Sequence, residues 1–301
     1  MNNKKKERVV VTGGAGFIGS HIADACLEKG YDVHIIDNLS GGKEENINPK
    51  AIFHKVDIRD EDAISPIIAG TTFVFHTAAL PRVQYSIEHP EETNEVNVGG
   101  TLNVLNAARN GKVQKVIYSA SSSAYGDQSV LPLREDMPAD PKSPYGLQKY
   151  IGELYCKLFS DVYGLDTVSL RYFNVYGPRL NPEGAYALVI GRFLKQREEG
   201  APLTIAGDGT QTRDFTYVAD VVRANLLAAE SKEAGGGDVF NIGFGKRMSI
   251  NTLAGLIGGE KVHLEPRLEP HDTEADTTKA KDCFGWEPRI SLEEGLKTIT
   301  L

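Results

Sequence analysis

The chain has 301 residues, 25% of them charged, with a formal net charge of −8. That length buries a sizeable core in one large domain or two lobes and excludes a small stapled protein. The acidic balance excludes nonspecific partnership with nucleic acid or a membrane surface, so an anionic ligand needs a local cluster of arginines and helix N-termini. Cys26, Cys156 and Cys283 are odd in number, widely spaced and without metal spacing, which points to a reducing, cytoplasmic setting and no metal site. No apolar run approaches a membrane span, and the charged lead Met1 to Arg8 lacks a signal-peptide core.

The first element is the apolar run Val9, Val10, Val11, followed by TGGAGFIG from Thr12 to Gly19 and then a helical pattern closing at Gly30. Gly13, Gly16 and Gly19 suit a tight turn, a close approach of backbone to phosphate, and close helix-to-strand packing, with the free helix amides facing the anion. With 31 glycines in the chain the spacing alone is weak, and the strand-turn-helix context carries the reading. A second apolar strand, Val33 to Ile36, ends in Asp37. An acid there accepts hydrogen bonds from adenosine ribose hydroxyls and repels a 2′-phosphate, which favours NAD over NADP.

Further strand-like runs follow at Ala51 to Val56, Thr72 to His76, Lys115 to Ser119, Thr167 to Arg171 and Val239 to Ile242, with helical patterns between them. The alternation predicts an α/β fold of the Rossmann type, a doubly wound parallel sheet, with a smaller C-terminal substrate lobe. Val98, Leu102, Leu105 and Ala108 share one helical face; Ile151, Leu154, Tyr155, Leu158, Phe159 and Val162 share another, packed on the sheet or on a partner. From Asn174 the pattern loosens into segments with proline and glycine. The expected division is 1–173 with 213–245 as the NAD-binding domain, and 174–212 with 246–301 as a discontinuous nucleotide-sugar lobe.

Ser143 and Pro144 read as N-cap and first residue of a helix, which places Tyr145 in its first turn and Lys149 one turn on along the same face. With 12 tyrosines and 19 lysines, about 0.8 YxxxK pairs arise by chance, and this is the one the chain contains. Its setting predicts a base, because the helix N-terminus and the ammonium both favour a phenolate and lower the tyrosine pKa. A packed tyrosine beside a surface lysine is the competing reading. At the end of the strand from Lys115, the serines Ser121, Ser122 and Ser123 stand where a doubly wound sheet binds ligands, or else form an ordinary polar strand exit.

Taken together, TGGAGFIG, Asp37, Asp57 with Ile58, HTAA at His76 to Ala79, Asn97, SSSAYG, YGLQK, RYFNVYGPR from Arg171 and TRDF from Thr212 resemble the extended short-chain dehydrogenase/reductases over nearly the whole chain. Within that group the chain is most similar to the UDP-hexose 4-epimerases. The resemblance implies catalytic roles for Tyr145 (base and acid at the sugar 4-position), Lys149 (nicotinamide ribose, and poising Tyr145) and Ser121 (the 4-oxygen). It implies NAD contacts at Gly13, Gly16, Phe17, Ile18, Gly19, Asp37, Asn38, Ala78 and Ala79, adenine contacts at Asp57 and Ile58, and a place for Asn97 near the nicotinamide ribose and the Tyr-Lys pair. Ser122 and Ser123 join the sugar site, and Asn174, Arg213 and Arg267 hold the UDP pyrophosphate and ribose. Aligning Ala275 and Asp276 with the family's Ala-Asp pair sets Thr273 at a gate beside the sugar 2-substituent. Relatives commonly form homodimers through a four-helix bundle.

Relatives that dehydrate or decarboxylate carry an acid just after the position of Ser121, where elimination needs a proton donor. Ser122 and Ser123 supply none. What remains is oxidation at C4, rotation of the 4-keto sugar and return of the hydride to the opposite face. The rival within the fold is a UDP-glucuronate 4-epimerase, which a panel of UDP-sugars separates from the plain and N-acetylated hexoses. The rival of another class is a noncatalytic NAD sensor, which has no need of Ser121, Tyr145 and Lys149 together.

Overall fold

The computed structural model describes residues 6–181, 188–266 and 271–299. Val9, Val10 and Val11 are fully buried and alternate between two cores. Val9 and Val11 join Ile22, Cys26, Val221 and Ala228, while Val10 joins Ile64, Leu105 and Phe159. A strand covered on both faces belongs inside a parallel sheet with helices on either side.

In chain order the elements are β1 (Arg8–Thr12), α1 (Phe17–Glu28), β2 (Asp32–Ile36), β3 (Ile52–His54), α2 (Glu61–Ile68), β4 (Phe73–His76), α3 (Val83–Glu88), α4 (Pro90–Asn94), α5 (Thr101–Asn110), β5 (Lys115–Ser121), α6 (Pro144–Tyr163) and β6 (Asp166–Tyr172). They continue with β7 (Val175–Tyr176), α7 (Val189–Glu198), β8 (Leu203–Ala206), β9 (Thr212–Asp214), β10 (Thr216–Tyr217), α8 (Val218–Glu230), β11 (Asp238–Ile242), β12 (Arg247–Ser249), α9 (Ile250–Ile257), β13 (Lys261–Leu264), α10 (Thr278–Phe284) and α11 (Leu292–Leu296). Seven strands form one parallel sheet in the order β11-β6-β5-β4-β1-β2-β3. The chain leaves β1 toward β2 and β3, then returns to β4 on the other side, so a crevice opens beyond the carboxyl ends of β1 and β4.

The later segments build three small pairs: β10 with β7 and β13 with β8, both parallel, and β12 with β9, antiparallel. A separate apolar cluster there includes Ile190, Phe193, Leu203, Ile205, Leu253 and Ile257. Among the described residues no helix is long and apolar enough to cross a membrane.

Two helices differ from their sequence patterns. Residues Glu95–Gly100, before α5, form a π-helical turn, which takes Val98 off the face that Leu105 and Ala108 bury. On α6 the buried face carries Lys149, Gly152, Glu153, Cys156 and Phe159, while Leu154, Leu158 and Val162 point outward at 51%, 46% and 60% exposure. The apolar stripe is thus split, with Phe159 and Tyr155 packed on the core and Leu154, Leu158 and Val162 outside, while Lys149 and Glu153 share the inner face.

Candidate active site

The turn after β1 is packed so tightly that it admits little but glycine. Gly13 has φ +71°, and a Cβ there would lie 2.7 Å from the Ala78 amide nitrogen. A Cβ on Gly19 would lie 2.2 Å from the Gly13 carbonyl oxygen. Small residues therefore bring the start of α1 down onto the strand ends, leaving the amides of its first turn directed into the crevice. Such a cradle fits a dinucleotide pyrophosphate.

Asp37, at the end of β2, is buried and fastens this turn: its Oδ2 accepts from the Ala15 amide at 3.0 Å and its Oδ1 from the Leu39 amide at 2.8 Å. The Ala15 carbonyl in turn accepts from the Lys43 amide at 2.9 Å and Asn46 Nδ2 at 3.0 Å. Asp57 is held by Arg59, whose Nε and Nη2 donate at 3.1 and 2.8 Å, and by Asn38 Nδ2 at 2.8 Å. The guanidinium brings its carboxyl down to about 2. Both Asp57 oxygens are engaged, so an adenine contact there has to share them.

At the other end of the crevice, α6 begins as the sequence pattern indicates. Ser143 caps it by accepting from the Gly146 amide at 3.1 Å, and the Tyr145 amide donates to Ser86 Oγ at 3.0 Å. Tyr145, Lys149 and the three serines line one cleft with the glycine turn, of about 520 Å³. Lys149 Nζ donates to the Ser119 carbonyl at 2.8 Å and is fully enclosed, which pushes it down from 10.5 to about 8. The strand carrying the serines runs two residues further than the sequence pattern, to Ser121, and Ser123 Oγ and N both bond Ser121 Oγ, at 3.1 and 3.2 Å.

The direction of the Tyr145 pKa corrects the sequence expectation. Burial raises the phenol, and only the Ser121 hydroxyl bonded to it works the other way. The physical reason is burial, which removes the water that would solvate a phenolate. The first-turn amides serve Ser86 and Ser143, and the Lys149 ammonium serves Ser119.

Asn97 sits behind the cleft, against the helix that carries Tyr145 and Lys149. It is 1% exposed and does not line the cleft. Its amide clamps Leu80 through both backbone groups, at 2.7 and 3.1 Å, and donates to Gln148 Oε1 at 2.8 Å. It positions the wall at Leu80 against α6 from behind.

On the substrate side, Asn174, Arg213 and Thr273 come together from three distant segments. Asn174, with φ +29°, donates Nδ2 to the Asp214 carbonyl at 3.0 Å. Arg213 Nη1 donates to the carbonyls of Thr212 and His271 at 2.9 and 3.0 Å. Thr273 is 7% exposed and its Oγ1 accepts from the Asp214 amide at 3.4 Å. Arg267 lies outside the described residues. Gly16, Phe17, Ile18, Asn38, Ile58, Ala78, Ala79, Ser122 and Ser123 all line the same cleft.

Sequence reasoning missed Lys43, Asn46, Arg82 and Arg179 as lining residues. Arg179 had a signal in the GPR of its motif: φ is +65°, and its guanidinium pairs with Asp24 of α1 at 2.8 Å. Asp214 stands in TRDF beside Arg213, and its carboxylate ties loops far apart in sequence.

The model of the NAD dependent epimerase/dehydratase family matches residues 9–243. The chain is 42% identical to UDP-glucose 4-epimerase of Thermotoga maritima, solved with UDP-glucose, with a TM-score of 0.93 over 97% of this chain and 96% of that one. It is 40% identical to UDP-N-acetylglucosamine 4-epimerase of Methanobrevibacter ruminantium M1, solved with UDP-N-acetylmuramic acid, with a TM-score of 0.92 and 98% and 97% coverage. A UDP-glucuronic acid 4-epimerase from Bacillus cereus, solved with UDP-glucuronic acid and NAD, is 36% identical with a TM-score of 0.90 and 97% of each chain covered.

Proposed function

The chain belongs to the NAD dependent epimerase/dehydratase family, and from that premise we propose that it interconverts 4-epimers of UDP-hexoses, the UDP-GlcNAc/UDP-GalNAc pair, the UDP-glucose/UDP-galactose pair, or both. One observation carries the reading. Tyr145, Lys149 and Ser121 meet in the cleft of the glycine turn, and among the described lining residues the carboxylates are Asp37 and Asp57, both at the β2–β3 side. Among the described residues of this cleft no carboxylic acid stands beside Tyr145 to expel a hydroxyl or to assist decarboxylation.

NAD, when bound, supplies the acceptor and donor of a hydride at the sugar C4. The glycine turn holds its pyrophosphate, Asp37 its adenosine ribose, and Asp57 and Ile58 its adenine. Tyr145 takes the proton from the 4-hydroxyl and gives it back, while Ser121 hydrogen-bonds the same oxygen. Lys149 keeps a positive charge between the phenol and the nicotinamide ribose. Asn174 and Arg213 hold the UDP moiety, and Thr273, small beside the sugar 2-substituent, leaves room for an acetamido group.

The substrate-binding side draws on described residues within 174–212 and 246–299, with Arg213 joining them from β9, which pairs with β12. The outer stripe of α6, with Leu147, Leu154, Leu158 and Val162 between 46% and 60% exposed, suits a second copy of the chain. The test of the function is incubation with a panel of UDP-sugars without added nicotinamide cofactor, resolving products by chromatography. Conversion of a neutral or N-acetylated hexose to its 4-epimer supports the reading. Conversion of UDP-glucuronate alone, or of none, removes it.

A further inference from the structure

Lys149 is a buried ammonium without a carboxylate of its own. Glu153, one turn along α6, is taken up by Arg171 of β6 through two hydrogen bonds of 2.9 and 2.7 Å. The other titratable groups facing Lys149 are Tyr145 and Cys156 on α6, His76 on β4 and Tyr118 on β5. Burial keeps Cys156 a thiol, and His76 is neutral, its Nδ1 bonded to Thr12 Oγ1 at 2.7 Å and its Nε2 to Thr101 Oγ1 at 2.9 Å. Thr101 Oγ1 donates to the Asn97 carbonyl, so it accepts from His76 Nε2–H and fixes that tautomer.

Two contacts do hold the ammonium. Nζ donates to the Ser119 carbonyl at 2.8 Å, and it stands 4.9 Å from the centroid of the Tyr118 ring. The ring lies in place for reasons visible around it. It packs at 5.6 Å on the His76 ring, and its hydroxyl reaches the Lys149 carbonyl at 3.4 Å. It passes so close beneath α6 that a Cβ on Gly152 would fall 2.2 Å from the Tyr118 Oη. An aromatic face attracts a cation most where water is excluded.

We propose that Tyr118 is a positioning residue of the reaction centre, whose ring face supports the Lys149 ammonium and aims it into the cleft. The inference rests on the assignment of Tyr145 and Lys149 under the proposed function. It explains why a glycine occupies α6 one turn beyond the lysine: a side chain there would push the ring aside. Burial already draws the Lys149 ammonium toward neutrality, so removing the π-face lets it lose its proton earlier.

The test uses the NAD-loaded protein labelled with ¹³C at lysine Cε. The Lys149 resonance is identified by its loss in Lys149→Met and followed from pH 6 to 11. Tyr118→Leu is expected to lower the titration midpoint by about one pH unit, and Tyr118→Phe, which keeps the ring, to retain the wild-type midpoint. Tyr118→Met serves where the leucine variant does not fold, since it fills more of the space without a π-face. Turnover of UDP-galactose against pH is measured in parallel, and its alkaline limb should move with the resonance. An unchanged midpoint in Tyr118→Leu or Tyr118→Met, or a fall in Tyr118→Phe as large as theirs, overturns the proposal. A shifted resonance in a protein that converts no UDP-sugar leaves this inference standing and sinks the functional reading. An unshifted resonance in an active epimerase does the reverse.

Discussion

On one wall of the cleft, between β1 and α1, position is set by backbone: glycines at 13, 16 and 19 bring turn, strand and helix together, and Asp37 and Lys43 brace the turn at Ala15. On the opposite wall it is set by one buried side chain. Asp214 accepts from the amides of Phe244 at 2.7 Å, Gly245 at 2.9 Å and Ala275 at 3.0 Å, and its own backbone meets Asn174 and Thr273. The first construction packs one short turn against nearby strand ends; the second gathers the loops at 244–245 and 275 on one carboxylate. A cofactor that stays bound through the cycle suits the first, and a sugar that must turn over between two half-reactions suits the second.

The largest effect should come from the residue between the walls. Tyr145→Phe removes the proton carrier and little contact area, so turnover should fall by about 10²–10⁴-fold while UDP affinity by calorimetry stays near wild type. Near-normal turnover would mean that neither wall serves this chemistry. Asp214→Ala and Gly19→Ala then separate the walls. The first leaves the buried Ala275 amide and the half-buried amides of Phe244 and Gly245 without their acceptor, the buried one at about 1–3 kcal/mol and the others at less, so denaturant unfolding should show a loss of a few kcal/mol, accompanied by weaker UDP binding. The second drives a methyl into the Gly13 carbonyl and should cost NAD retention, read by acid release and chromatography. Equal loss of both ligands in both variants would erase the distinction.

Lys149 gives a pH test of the central group. Its ordinary value of 10.5 falls to about 8 in the fold, so between those values the unfolded chain binds more protons and stability rises with pH. Below pH 8 both states are protonated, and the buried charge costs the fold about 3 kcal/mol. Cofactor-free Lys149→Met should therefore be more stable than wild type at pH 7 by up to that amount, with the difference shrinking toward pH 10.5. A constant difference across that range would show that Lys149 titrates normally.

The smallest effect concerns selectivity. Thr273→Tyr should slow N-acetylated substrates about 10- to 200-fold more than plain hexoses, by crowding the 2-substituent. Equal slowing of both pairs would remove Thr273 from the gate.

How much was legible follows the same division. The glycine turn, Asp37 at the strand end, and the Ser143–Pro144 start of α6 depend on neighbours within a few residues, so local pattern sufficed. Which face of α6 is buried did not follow from apolar spacing, because Lys149 and Glu153 face inward against Ser119 and Arg171. The elevated Tyr145 pKa was equally hidden, since it follows from burial, which segments distant in the chain create. Asn97 carried a motif, yet its partners Leu80 and Gln148 exist only in three dimensions.

The most direct test of the account is to run the conversion in D₂O and read deuterium in the product sugar by NMR. A hydride removed from C4 and returned to the same carbon never meets solvent, so the account predicts a 4-epimer with no deuterium at C3, C4 or C5. Deuterium at C3 or C5, or a product lacking a hydroxyl or the C6 carbon, would contradict it.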